Sequence, residues 1–369
     1  EVGVVSMDAL DKQLNQHDIV TLTKESFAAC RNRLIGQGID ISQYHLINAA
    51  KDLEVLRTGL GVAQLNVYGV SYGTRIALEF ERLYPDSTRT LILDGIYPQS
   101  LKVYENEPRH NSEAMMRVIN KCQQDKACYD QFGFNLEQRL SNFLKQLEEN
   151  PITIRVTSPV DYSPIDVVVT PDVFFDSLFA MMYDESVISY IPKYMYATFK
   201  GNTDYLTEMV RDYYVNDIVI DSLDEGAYAS YSCFDEIPFT DFDIARNALK
   251  KYPFQYYSNK YAFDISQAMC EVWDVPVATA EFKESYKINA PVLIYSGELD
   301  PVTPAELAKT VIENASVSWD FEWPGIAHAV MLVSQCADWT AHAFLSAPES
   351  DPFVYECANK KPKFKFETR

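Results

Sequence analysis

Ser71 stands in Gly69-Val70-Ser71-Tyr72-Gly73, and two later residues have the types that would turn its hydroxyl into a nucleophile. A serine hydroxyl attacks poorly until a base removes its proton, and the base needs an acid to hold its tautomer and stabilise the imidazolium. Asp300 in Gly297-Glu298-Leu299-Asp300-Pro301 and His328 in Gly325-Ile326-Ala327-His328 supply these in the order serine, acid, histidine. The chain has five histidines. His17, His45 and His110 lie in helical or loop segments away from any strand end, and His342 falls inside the last helix, whereas His328 follows a strand and a glycine. Asp94 is the alternative acid, because it ends the strand before Gly95; Asp300 is preferred. Together these residues predict acyl transfer through a covalent intermediate on Ser71.

The elements around Ser71 give the short motif its force. From Leu65 the chain reads as a short buried strand running into Gly69-Val70-Ser71-Tyr72-Gly73, and Ile76 to Tyr84 carries Ile76, Ala77, Phe80 and Leu83 at helical spacing. A strand turning into a helix around one residue strains that residue, and glycines at both flanks are expected to remove side chains that would clash. The backbone N–H of Tyr72, at the start of the helix, is the expected oxyanion donor. Without this context the five residues would suit an ordinary turn.

A second strand, Thr90 to Leu93, completes a parallel crossover unit. The alternation returns with strand Ala290 to Ser296, helix Ala305 to Asn314, strand Val317 to Glu322 and a helix from about Ser334 to Leu345. In a parallel sheet the loops holding Ser71, Asp300 and His328 all open on the carboxyl edge. Between about Tyr97 and Ile288 the chain reads as helices, with one hairpin from Ile152 to Val156 and Asp166 to Thr170. The expected organisation is a core in two parts, 1–98 and 289–369, around a mainly helical cap at 99–288. A basic tail, Lys360 to Lys365, reads as solvated.

With 369 residues, 47% hydrophobic and 23% charged, the composition is that of a globular chain with a large core. The formal net charge of −21 makes nucleic acid and anionic membrane surfaces poor partners. No apolar run approaches the roughly 18 residues of a membrane span. The chain begins at Glu1, so the lack of a leader there carries no information. None of the seven cysteines forms a C-x-x-C pair, and no His/Cys cluster has zinc-ligand spacing. Disulfides in an exported protein explain the count better than a metal does, and no cofactor is expected.

Asn66 to Arg75, Leu91 to Gly95, Pro291 to Pro304 and Gly325 to His328 resemble the tripeptidyl aminopeptidase branch of the α/β-hydrolases, the group related to prolyl aminopeptidases. The likeness runs from about Cys30 to Cys357. It implies a secreted or periplasmic serine exopeptidase that releases short peptides or single residues from free amino termini, with a helical cap. Its nucleophile, acid and base fall on Ser71, Asp300 and His328. It also implies the pairs Cys122–Cys128, Cys233–Cys270 and Cys336–Cys357, leaving Cys30 over.

The resemblance carries a gap. The family has further strands before the nucleophile strand and a glycine-rich loop that supplies a second oxyanion donor, and residues 1–61 contain neither. The expectation is therefore a missing amino-terminal segment or chain of the same product, which would complete the sheet. Asp235 and Glu236, beside Cys233, are the candidate anchors for a substrate ammonium. A carboxylesterase using the same three residues, and a non-catalytic binding protein on the same fold, are the alternatives.

Overall fold

The computed structural model describes residues 7, 9–216, 218, 224–359 and 364–368. Residues 360–363 of the basic tail lie outside them. Among the described residues the strands are β1 (Leu65–Val70), β2 (Thr88–Asp94), β3 (Ile152–Thr157), β4 (Pro164–Val169), β5 (Val292–Gly297) and β6 (Ser318–Trp323). Two compact units emerge, one of residues 44–101 and 278–364, the other of residues 1–43, 102–277 and 365–369.

The first unit is built on a parallel sheet in the order β1-β2-β5-β6, with Val67 opposite Leu91 and Leu91 opposite Val292. Central strands covered on both faces must be apolar throughout, and β5 is buried along its whole length. Side chains alternate between faces. Leu91, Leu93, Val292 and Ile294 pack with Ala77, Leu78, Leu307 and Val311 on one side. Ile92, Leu293 and Tyr295 pack with Trp323, Val330, Ala341 and Phe344 on the other. The helix Tyr72–Leu83 makes the crossover from β1 to β2. It buries Glu79, whose carboxylate takes two bonds from Arg82 (2.6 and 2.7 Å) and one from Gln99 (3.0 Å).

The second unit is mainly helical and contains the β3–β4 hairpin, antiparallel with Ile154 opposite Val167. Helix Gln16–Gly36 packs along helix Ala262–Trp273, and Phe27 meets Trp273 edge-on at 6.1 Å between ring centroids. The Trp273 indole donates to Ser230 Oγ (2.9 Å). This packing groups residues 1–43 with the helical unit, whereas the sequence reading grouped 1–98 together. Helix Thr203–Val210 continues as a wider π-turn, Arg211–Val215.

Three disulfides join Cys122 to Cys128, Cys233 to Cys270 and Cys336 to Cys357. Cys30 is buried, with the Arg33 guanidinium 3.7 Å from its sulfur. Among the described residues no helix is long and apolar enough to cross a membrane.

The Cys233–Cys270 bond closes a separation of 37 residues, which on chain entropy is worth about 3–4 kcal/mol. A C233S/C270S variant should therefore melt several degrees below the parent in calorimetry. Equal melting temperatures would show that the helix packing alone holds this part of the unit.

Candidate active site

Ser71 occupies the single residue between β1 and its helix, at φ 53° and ψ −123°. A β-carbon in this region costs about 1–2 kcal/mol, so the neighbours must hold it there. The Ser71 amide donates to the Asp94 carbonyl (2.9 Å), and the Ser71 carbonyl accepts from the Thr74 amide (3.0 Å) and hydroxyl (2.6 Å). Thr74 Oγ1 in turn accepts from the Tyr97 amide (2.8 Å). At Gly69 a Cβ would lie 2.4 Å from the Gly73 carbonyl oxygen. At Gly73 a Cβ would meet nothing within 4 Å. The expectation that both glycines are sterically required is thus corrected: Gly69 is where the helix presses on the strand, and Gly73 leaves room.

Asp300 is fully buried in the loop after β5, and its carboxylate is saturated. Oδ1 accepts from the amides of Val302 and Thr303 (2.8 Å each), and Oδ2 from Thr303 Oγ1 (2.7 Å) and His328 Nδ1 (2.8 Å). A carboxylate at Nδ1 selects the tautomer with the proton on that nitrogen, which leaves the Nε2 lone pair for a substrate proton. Thr303 Oγ1 also lies 3.2 Å from His328 Nδ1, so one hydroxyl touches both partners.

The loop carrying His328 crosses the end of β5 closely. A Cβ on Gly297 would lie 1.8 Å from the Ala327 carbonyl oxygen. Leu299 N–H donates to the Ile326 carbonyl (2.9 Å), and Gly325 N–H donates to Glu298 Oε2 (2.8 Å). On its other side the imidazole meets Gly95, at φ 63°, where a Cβ would lie 3.0 Å from His328 Cε1 and 2.8 Å from Thr303 Oγ1. The Ser71 backbone and the His328 ring therefore converge on the end of β2. Asp94, the alternative acid, does not bond the imidazole among the contacts seen. Its carboxylate accepts from the amides of Val330 (2.9 Å) and Met331 (2.8 Å) and from the Tyr68 hydroxyl (3.1 Å).

In the helical unit, Asp235 is wholly buried at the end of helix Glu225–Asp235 and has no surface to offer a ligand, while Glu236 retains a little. Glu236 interacts electrostatically with Glu107 and Tyr228, and Glu107 with Asp176, which feels Asp172. Asp172 and Asp176 are four residues apart on helix Pro171–Met181 and so share a face. Both are open to solvent, yet protein crowds them closely enough to push their carboxyls up. Burial raises the Glu107 carboxyl to about 7, against a hydrogen bond from Asn111, and the charge of Glu236 adds to the rise. Sequence reasoning named Glu236 but missed Glu107, Asp172 and Asp176, which come together only through tertiary packing. It missed Thr303 too, although an Asp followed by amides two and three residues on is a recognisable turn signal. Among the described residues no group of three metal-ligating side chains is placed to hold an ion.

A family model described as alpha/beta hydrolase fold matches residues 23–128, and one described as TAP-like protein matches residues 255–357. The chain is 25% identical over 384 positions to "Serine protease Hip1" of Mycobacterium tuberculosis, covering 95% of this chain and 70% of that protein. It is 23% identical over 265 positions to "Tripeptidyl aminopeptidase" of Streptomyces lividans, covering 70% of this chain and 48% of that protein. Among solved structures, a mutant epoxide hydrolase from Bacillus megaterium aligns at TM-score 0.34 and 15% identity, over 83% of this chain and 78% of that one. An esterase from Exiguobacterium antarcticum aligns at TM-score 0.30 and 14% identity, over 85% and 76%.

If the Thr303 hydroxyl holds Asp300 and His328 in register, T303V should lower kcat/KM on a p-nitrophenyl ester by about 10- to 100-fold, the worth of a hydrogen bond to a charged group. T303S should stay near the parent. Equal losses in both variants would assign the effect to packing of the methyl group.

Proposed function

We propose that this chain, which belongs to the α/β-hydrolases and carries their TAP-like region, is a serine peptidase that releases short peptides from free amino termini through an acyl-enzyme on Ser71. The observation that carries the reading is the buried Asp300–His328 hydrogen bond, set at the same sheet edge as the strained turn that presents Ser71. His328 Nε2 takes the Ser71 proton as Oγ attacks the substrate carbonyl carbon. The oxyanion settles on the Tyr72 N–H at the helix start. His328 then gives the proton to the leaving amine, and a water repeats the sequence to free the acyl group. Asp300, held by its four donors, orients the imidazole through Nδ1 and faces the imidazolium as it forms.

Two observations support peptides over simple esters. The relatives quoted are named as a protease and an aminopeptidase. The acids Glu107, Asp172, Asp176 and Glu236 concentrate negative charge in one unit, which suits a substrate ammonium. Glu236 and Glu107 are the anchors in this reading. The three disulfides support an exported protein in an oxidising compartment.

The reading includes a partner, a strand-forming segment of the same product from outside residues 1–369. Among the described residues β1 pairs on one side only, and Val55, Leu56 and Leu60 on the neighbouring helix Leu46–Leu60 are exposed. A parallel strand added at that edge would end beside Ser71, where its loop could supply a second oxyanion donor.

S71A should abolish turnover by about 10⁴-fold or more, and a fluorophosphonate probe should label Ser71 in the parent. An unlabelled Ser71 in both this chain and a longer product would defeat the hydrolase reading. Labelling should be about 100-fold slower in this chain alone; equal rates would remove the partner.

The Glu107 carboxyl, at about 7, loses its charge as pH falls through that value. KM for free-amino peptides should therefore rise below pH 7 in the parent, while amino-acetylated peptides and esters show no such limb. E107Q should give the high KM at every pH and, by removing a desolvated charge, raise the melting temperature above pH 7. A KM independent of pH in the parent would discard this anchor.

A further inference from the structure

Immediately after His328 the chain takes a second strained step. Ala329 lies at φ 62° and ψ 65°, in the left-handed region, and opens the short helix Val330–Val333. An alanine there costs roughly 1 kcal/mol or more relative to glycine, so an isolated loop of this sequence would turn elsewhere and swing the imidazole away. The two amides that follow Ala329 both donate to Asp94, Val330 to Oδ1 (2.9 Å) and Met331 to Oδ2 (2.8 Å). Asp94 is itself completely buried, and the third donor, the Tyr68 hydroxyl, reaches it from β1 at 3.1 Å. Burial pushes the Asp94 carboxyl up, while the three donors and the nearby His328 oppose the rise.

We propose that Asp94, steadied by Tyr68, is a positioning residue that locks the strained Ala329 turn and thereby aims His328 at Ser71. The inference rests on the serine-hydrolase reading for its consequence in turnover, but the lock is a separate physical claim. The Asp94 carboxylate acts through the backbone amides of Val330 and Met331. A carboxylate is required because both oxygens must accept: in Asn one becomes an amino group, which would face the Met331 N–H donor to donor.

The test compares D94N, A329G, the double variant D94N/A329G and Y68F, all in the 369-residue chain. D94N should lower kcat on a p-nitrophenyl ester by 10- to 100-fold with KM within about twofold, and slow fluorophosphonate labelling of Ser71 by the same factor. A329G should stay near the parent. The double variant should recover several-fold over D94N, because glycine adopts the turn without the lock. Y68F should lose a few-fold at most. A double variant no better than D94N, or D94N with parental kcat, would overturn the proposal. Hydrogen exchange at the Val330 and Met331 amides is read alongside. Protection there should fall at least tenfold in D94N while Leu91 and Leu93 are unchanged, and unaltered protection would refute the lock even if Ser71 proved unreactive. An unlabelled parent with normal loss of protection in D94N would instead leave the lock standing and remove the hydrolase reading.

Discussion

The last residue of β2 faces two loops at once, and the candidate site exists where its two sets of hydrogen bonds meet. The Asp94 carbonyl holds the amide of Ser71, and the Asp94 carboxylate holds the turn that follows His328. Gly95, the next residue, lets the imidazole and Thr303 close against the backbone. Ser71 and His328 are thus referenced to one point on a central strand whose side chains are packed on both faces. A loop-borne site with this reference inherits the rigidity of the sheet.

Three carboxylates of the first unit are costly to bury and are met by directed donors, whereas buried Glu81 keeps one oxygen without a hydrogen bond. Asp300 has four donors, Asp94 three and Glu79 three, so the energy of desolvation is offset by charge-assisted bonds with fixed direction. Such a network is already oriented before a substrate arrives, and the imidazolium formed in a reaction would find its counter-charge in place. The helical unit handles its acids differently. Burial and then the charge of Glu236 push Glu107 up, while crowding by protein pushes up Asp172 and Asp176, with Glu148 adding at Asp172, and Asp172 and Glu107 adding at Asp176. Mutual repulsion among crowded carboxyls lowers stability wherever they are charged. That tension is relieved by a cation, which is the physical sense in which the cluster suits an ammonium.

Much of the first unit was legible because its signals are local. A strand, a serine between glycines and a helix within twenty residues leave few geometries, and Asp300 and His328 each follow a strand in the required order. The parallel sheet was legible for the same reason, since β5 is an apolar run after Pro291, and Leu91 to Leu93 of β2 form another before Asp94-Gly95. What was hidden depends on residues far apart in sequence. Nothing near Asp94 announces that its carboxylate will meet amides 236 and 237 residues later. Glu107 is one acid among the 53 Asp and Glu residues of the sequence, and only packing sets it near Asp176. The placement of residues 1–43 also follows from long-range contact, between Phe27 and Trp273. Gly73 misled in the opposite direction: it completes a familiar pattern, but within this chain no atom crowds the position where its side chain would be.

The contacts described for Ser71, Asp94, Thr303, Asp300 and His328 lie within residues 44–101 and 278–364. Tyr68 sits on the edge strand, 41% exposed, with its hydroxyl on the carboxylate that holds the His328 loop. Anything that covers the edge of β1 touches the ring that steadies Asp94. The edge of the sheet and the geometry of the base are then mechanically one problem, and the path between them is two side chains long.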